Sequence, residues 1–301
     1  MPSGFGFLDS VRHGIVGLFL EVVLSTELEA AREANLTYHD RPELSSTQVA
    51  KFMDDPIAFY EMHVTGERNR EAPTDAMKFG TSVHEMIELG GPDKMPIAVI
   101  PREVLNKDGH KKGKAWTQWK AEQPDDALLY KEGEDIPWYK IWSNLVANEK
   151  CIKWLVADRK EEEFFWQDSA SGLWCRAKLD VVDVSVIVDW KTTRSVDPRG
   201  FQSACHSMHY AERLSFYRRG YEQKYGERPP CVAVAIENSG SYRVQPYEIS
   251  ESWLSKADDK LSRVLDQIAN FDIQTERNQP IIELSEPKYA RFDDEFQLDQ
   301  V

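Results

Sequence analysis

Apolar positions along the chain recur first at helical spacing and then at strand spacing, and the change divides the sequence. Residues 1–40 are rich in Leu, Glu and Ala and read as a helical arm, closed by the polar break Tyr38-His-Asp-Arg-Pro42. In LSSTQVAKFMDDPIAFYEMHV, Val49, Phe52 and Met53 fall on one helical face behind a serine cap at Ser45 or Ser46, and Pro56 ends that helix and starts another. KFGTSVHEMIEL, residues 78–89, places Val83, Met86 and Ile87 on one face and stops at Gly90-Gly-Pro92. Trp138, Ile141, Trp142 and Leu145 stand at core spacing in a helix predicted over 135–156.

Beyond that point the period becomes two. Glu163–Trp166, Leu173–Val182 and Val184–Trp190 are short, β-branched and aromatic, and are separated by Ser-Ala-Ser-Gly and a tight turn at Asp183, which predicts an antiparallel three-stranded meander. A long helix over about 200–225 ends at Gly226 and Pro229-Pro230. Cys231–Ile236 and Tyr242–Ile249 supply two more strands, and Glu251–Phe271 a last amphipathic helix. Strands grouped between helices predict an α+β fold, divided into an arm (1–40), a central domain (41–275) and an acidic tail (276–301).

Composition narrows the function. The chain has 301 residues, 41% of them hydrophobic, and 37 basic against 51 acidic side chains give a net charge of −14. A wholly basic surface is excluded, so any polyanion must meet a local patch. The segment from Pro101 to Lys120 is one: Arg102, Lys107, Lys111, Lys112, Lys114 and Lys120 face only Glu103 and Asp108. Lys191, Arg194, Arg199, Arg213, Arg218, Arg219, Lys224 and Arg228 form a second basic run. The longest apolar stretch, Ile15 to Leu24, is broken by Glu21 and falls short of the ~20 residues a spanning helix needs; it reads as an amphipathic surface helix, and the chain as cytoplasmic. Cys151, Cys175, Cys205 and Cys231 are too scattered for a zinc clip or an iron–sulfur cluster and read as buried thiols.

The densest chemical signal is Lys178-Leu-Asp180 followed by Val186-Ile-Val-Asp189-Trp-Lys191-Thr-Thr193. Strand side chains alternate, so Asp189 and Lys191 share one face while Val188 and Trp190 pack on the other. The turn at Asp183 folds Asp180 back alongside Asp189. Two converging carboxylates suit a hard divalent cation, and a nearby lysine can orient or deprotonate an attacking water or neutralise charge on a phosphate. A surface hairpin with an i,i+2 ion pair is the plain alternative, and a motif as short as D-x-K does not decide between them.

Ordered motifs do. LSSTQVAKFMDDPIAFY, the G-x-x-x-H of FGTSVHEMIEL, KKGKAW, EEEFFWQDSASGLWCRAKLDVV, IVDWKTT, HYAERLSFYRRGY and VAIENSGSYRVQPYEIS follow one another from about residue 43 to 250. This series resembles the PD-(D/E)xK nucleases of the RecB-like branch, within it the phage and prophage exonucleases of the exodeoxyribonuclease VIII (RecE) type. The resemblance implies a restriction-endonuclease-like core, a mixed sheet flanked by helices, that degrades double-stranded DNA from an end with Mg²⁺ or Mn²⁺. It implies metal binding by Asp180, Asp189 and His84, and catalysis by Asp180, Asp189, Lys191 and an upstream glutamate. That glutamate is one of Glu161, Glu162 and Glu163, with spacing to Trp166 favouring Glu161. It implies too a toroidal homo-oligomer, trimer or tetramer, working with a single-strand annealing recombinase.

The chain departs from this pattern where Arg213 replaces the helical glutamine of Y-x-x-Q-x-x-x-Y, with Tyr210 and Tyr217 in register. Lys111, Lys112, Lys114, Thr192, Thr193, Arg213, Tyr217, Arg218 and Arg219 are the expected DNA contacts, to phosphates rather than bases. Thr192 and Thr193 serve equally as strand-end caps. Trp116, Trp119, Trp138 and Trp142 read as core. A non-catalytic DNA-binding scaffold of the same fold, or a nuclease of the CRISPR-adaptation or AddB kind, is the rival reading.

Overall fold

The computed structural model describes residues 29–278, apart from 31, 70, 71, 184 and 185. The predicted acidic tail and most of the arm lie outside them. Residues 32–39 form helix α1, held against the domain: Arg176 is buried and donates to the Tyr38 and His39 carbonyls at the end of that helix. The elements that follow are β1 (Leu44–Ser45), α2 (Ser46–Asp54), α3 (Pro56–His63), α4 (Asp75–Leu89), β2 (Ile97–Ile100), α5 (Lys114–Ala121), β3 (Leu128–Lys131), α6 (Pro137–Ala147) and α7 (Glu149–Leu155). Then come β4 (Lys160–Gln167), β5 (Trp174–Asp183), β6 (Val186–Thr193), α8 (Pro198–Ser207), α9 (Tyr210–Tyr225), β7 (Cys231–Glu237), β8 (Val244–Ile249), α10 (Glu251–Ala269) and α11 (Ile273–Arg277).

The fold is α+β: a mixed sheet between two helical layers. Strands run in the order β1-β5-β6-β7-β8, with β4 also paired to β5. The predicted meander is present as β4, β5 and β6, antiparallel throughout. β6 and β7 are parallel, joined by the α8–α9 crossover that parallel pairing requires. On one sheet face α2, α9 and α10 bury Val49, Phe52, Leu214, Phe216, Leu254 and Leu261 against Ala177, Leu179 and Ala233. On the other, α4, α6 and α7 bury Val83, Met86, Ile141, Leu145 and Trp154 against Val188, Trp190 and Val234.

Serine capping resolves to Ser45, whose side chain accepts from the Gln48 amide while Gln48 returns a bond to the Ser45 amide, a capping box. Two predicted helices are each split in the structure. The 135–156 helix breaks at Asn148, whose side chain caps the Lys150 and Cys151 amides of α7. The 200–225 helix breaks at Met208–His209, where His209 takes φ 55° and its ring bonds Asp54 at 2.9 Å. A small parallel pair, β2 with β3, was not predicted; residues 101–127 are the excursion between its strands, and the basic segment Pro101–Lys120 makes up most of it.

Candidate active site

The site lies at a gap in the main sheet. On the β6 side of β5, the ladder runs only from Asp183↔Val186 to Val181↔Val188, and β1 takes over at Cys175 and Arg176. Between them, residues 177–180 are left without a strand partner on that side, and the next pair would have been Asp180 with Asp189. The Asp180 carboxylate fills the opening by accepting the Trp190 amide at 2.7 Å. Two converging acidic strands splay, and one acid is fastened to the backbone of the other strand.

α4 brings His84 to this point, and the G-x-x-x-H spacing has a steric reason. Gly80 and His84, one turn apart, both face β6. A Cβ on Gly80 would stand 3.2 Å from Thr192 Oγ1, tight enough that the threonine side chain would have to give way, and glycine lets the helix lie this close without that shift. His84 Nε2 then bonds the Trp190 carbonyl at 2.9 Å, while Nδ1 faces Asp180 Oδ1 at 3.5 Å.

The ambiguity among three glutamates is resolved by strand parity and one strained residue. Glu162 turns to the α9 side, bonded by Arg159, Lys224 and Tyr225. Glu163 is exposed. Glu161 takes φ 52°, a left-handed conformation costing a non-glycine residue about 1 kcal/mol or more, and its carboxylate joins His84 and Asp180. Among the described residues, His84, Glu161 and Asp180 present ligand atoms all within 4.8 Å of one another. Lys178, two residues before Asp180 on the same strand face, bonds Glu161 at 2.9 Å.

Asp189 stands beside this trio rather than within it. Its carboxylate meets Lys191 Nζ at 2.5 Å, with side chains 4% and 11% exposed. Lys191 also reaches the Trp190 carbonyl at 3.3 Å and lies 5.5 Å from the centre of the Tyr210 ring. α9 adds Arg213, which donates to Thr47 Oγ1 at 3.4 Å and has a buried Nε with no partner. Tyr217 accepts from Ser46 Oγ at 3.2 Å, so the start of α2 and the middle of α9 close this flank.

Electrostatics separates the two carboxylates of the trio. Burial and the neighbouring Asp180 charge push the Glu161 carboxyl up to about 7, against the pull of Lys178. Burial would also raise Asp180, but His84, Lys191 and the Trp190 amide hold it down to about 2. His84 is half-buried, and the desolvation disfavours its charge, yet Asp180 prevails and raises its pKa. Burial acts likewise on Lys191, and Asp189 overrides it, keeping the ammonium charged.

A hard divalent cation fits this set. A backbone carbonyl only accepts, so His84 Nε2 must donate to Trp190, and neutral imidazole then presents a bare Nδ1 to a carboxylate. Metal-bound histidines commonly have their other nitrogen fixed in this way. A cation between the nitrogen and two carboxylates relieves the mutual repulsion that now raises Glu161.

The remaining expected residues divide. Lys111, Lys112 and Lys114 are exposed on the 101–127 excursion. Thr192 lies against Gly80, and Thr193 Oγ1 bonds the Ser195 carbonyl at 3.2 Å, ending the strand. Arg218 is 5% exposed and bonds Glu251 and the Arg228 carbonyl, and Arg219 binds Asp168, Asp258 and Ser262, so both tie α9 to its neighbours. Sequence reasoning gave no role to Lys178 or to the Trp190 backbone. The parity argument applied to Asp189 and Lys191 would have found Lys178.

The model of a family described as a PDDEXK-like domain of unknown function (DUF3799) matches residues 45–283. Among solved structures, the chain is similar to a "Putative exonuclease" from Eubacterium rectale at 16% identity, covering 81% of this chain and 91% of that one with a TM-score of 0.51, a likeness of fold. A second chain, SSO0001, aligns at 12% identity over 69% of this chain and 91% of that one with a TM-score of 0.26. No curated protein matches the sequence.

Proposed function

Since the chain belongs to the PDDEXK-like family DUF3799, we propose that it is a divalent-metal-dependent DNA exonuclease of the RecE type, its nuclease domain spanning residues 41–275. The observation that carries this reading is the His84–Glu161–Asp180 trio set beside the Asp189–Lys191 pair at a gap in the sheet. An ion pair on an ordinary hairpin needs neither a splayed ladder, nor a strained glutamate, nor a histidine aimed at an aspartate.

His84, Glu161 and Asp180 would hold Mg²⁺ or Mn²⁺, with Asp189 as the adjoining carboxylate. The ion, when bound, supplies Lewis-acid polarisation of the phosphodiester and a lowered pKa for water. The chain's own groups do the rest. Asp189 keeps Lys191 protonated, which favours a cation that orients the attacking water and neutralises charge developing on the phosphate over a base that removes a proton. Arg213, with an unpartnered Nε near that pair, offers a second donor to a phosphate oxygen where the RecE-type enzymes that the sequence resembles have a neutral glutamine. Double-stranded ends as substrate, a trimeric or tetrameric ring and a single-strand annealing recombinase as partner follow from the likeness to RecE-type enzymes. No helix among the described residues is long and apolar enough to cross a membrane.

Asp189→Ala tests the assignment. The variant is expected to bind duplex DNA while losing cleavage at saturating Mg²⁺, because Lys191 loses the partner that positions it. Unchanged cleavage by a folded variant would remove Asp189 and Lys191 from the chemistry.

A further inference from the structure

Two tryptophans expected in the core lie outside both cores. Trp138, Trp154, Trp166 and Trp190 are buried in one core or the other, whereas Trp116 and Trp119 belong to neither. They stand three residues apart on α5 with ring centroids 5.6 Å apart and planes inclined by 33°. No residue of α5 is fully buried. The helix packs chiefly on the short turn Arg102–Val104 of its own excursion. A pair of indoles, the largest apolar side chains, is thus spent on a helix that buries none of its residues fully.

The surroundings indicate what covers them. The stretch Pro101–Lys120 has the opposite charge to the chain: Arg102, Lys107, Lys111, Lys112, Lys114 and Lys120 stand against Glu103 and Asp108, in a protein of net charge −14, and the acids follow at its far end as Glu122, Asp125 and Asp126, the last paired with Arg32. Its base is fastened to the metal-site helix, because Arg32 bonds Glu85, the residue after His84, at 2.9 Å, and also Asp126 just ahead of β3. A cationic, aromatic excursion is therefore rooted beside the candidate active site.

We propose that Trp116 and Trp119 form a stacking subsite for unpaired bases of a DNA strand, with Lys111, Lys112 and Lys114 holding its phosphates. The proposal deepens the nuclease reading above and rests on it. Lysines alone attract any polyanion, duplex included. An indole face gains from a base only where that base is free of its neighbours in the helix, so the ring pair selects single strand. The excursion would hold a separated strand end near the site where it is cut.

The test is made in EDTA, where no turnover occurs. Binding of oligothymidylate is compared with binding of an abasic backbone of equal length, which has the same charge and no bases. The wild type is expected to prefer oligothymidylate by about tenfold or more, with quenching of tryptophan fluorescence. Trp116→Ala/Trp119→Ala should lose that preference, keep the salt dependence of binding and melt like the wild type, while Trp116→Phe/Trp119→Phe should retain part of the preference. Equal affinity of the wild type for both strands, or a preference that survives the double alanine variant, overturns the subsite. Cleavage with Mg²⁺ is scored separately: a protein that prefers bases yet cuts nothing fails as a nuclease only, and one that cuts without the preference lacks only the subsite.

Discussion

At the scale of single residues, the site sets neighbouring carboxylates in environments that push their ionisation apart. Glu161 is the sharpest case: burial and the facing Asp180 carboxylate raise its pKa from 4.5 to about 7. The folded state therefore holds this proton more tightly than the unfolded chain does. The stability it contributes is fully present below pH 4.5 and is lost as pH rises through about 7. In metal-free protein, Glu161→Gln should be more stable than wild type at pH 8 and lose that advantage by pH 5, measured as the difference in urea midpoints; an advantage independent of pH would show that the carboxyl's charge is not its cause. Asp180, Asp189 and Lys191 were legible because alternation along a strand is rigid. The left-handed φ of Glu161 was not, since nothing in a run of three glutamates marks which one bends.

At the scale of elements, the helices that position the site depend on close approaches that only small residues allow. Gly80 admits α4 to β6, and Gly220 admits α9 to β4: a Cβ there would lie 2.7 Å from the Trp166 ring. Gly220→Ala gains about 1 kcal/mol of helix propensity but forces a buried indole or the whole helix to move, which costs about 1–3 kcal/mol. The clash wins, because Trp166 is itself packed on Phe216 at 4.8 Å. A lower melting temperature for Gly220→Ala is expected; a higher one would show that α9 is less tightly seated than the structure has it. The meander and the helix starts were legible from period and caps, and Asn148 is a cap that could have been read. The break at His209 was not, because its left-handed turn is held by Asp54, 155 positions away in sequence. β2 and β3 escaped notice as strands of four residues each, paired across a long excursion.

At the scale of the molecule, the proposed function requires an acidic protein to meet an acidic polymer through local sign inversion. Lys111, Lys112 and Lys114 are exposed on the excursion, whereas much of the α9 charge is internally neutralised by Glu162, Asp168, Glu251 and Asp258. Sequence counting could not separate these two basic runs, since the count is blind to partners brought in by folding. Neutralising the three lysines should weaken binding equally for unrelated duplexes and lower the log-salt slope by about one unit for each phosphate no longer neutralised. A wild-type slope in that variant would make the segment an ordinary solvated loop. The central claim, hydrolysis of DNA from an end by the gap between β5 and β6, is tested most directly with a linear duplex labelled at one end, incubated beside a closed circle with and without Mg²⁺. Progressive release of nucleotides is expected from the linear duplex only, only with Mg²⁺, and not at all from Asp180→Asn. Equal attack on the circle would contradict an end-dependent enzyme, and release that persists without divalent ion or in Asp180→Asn would contradict the site itself.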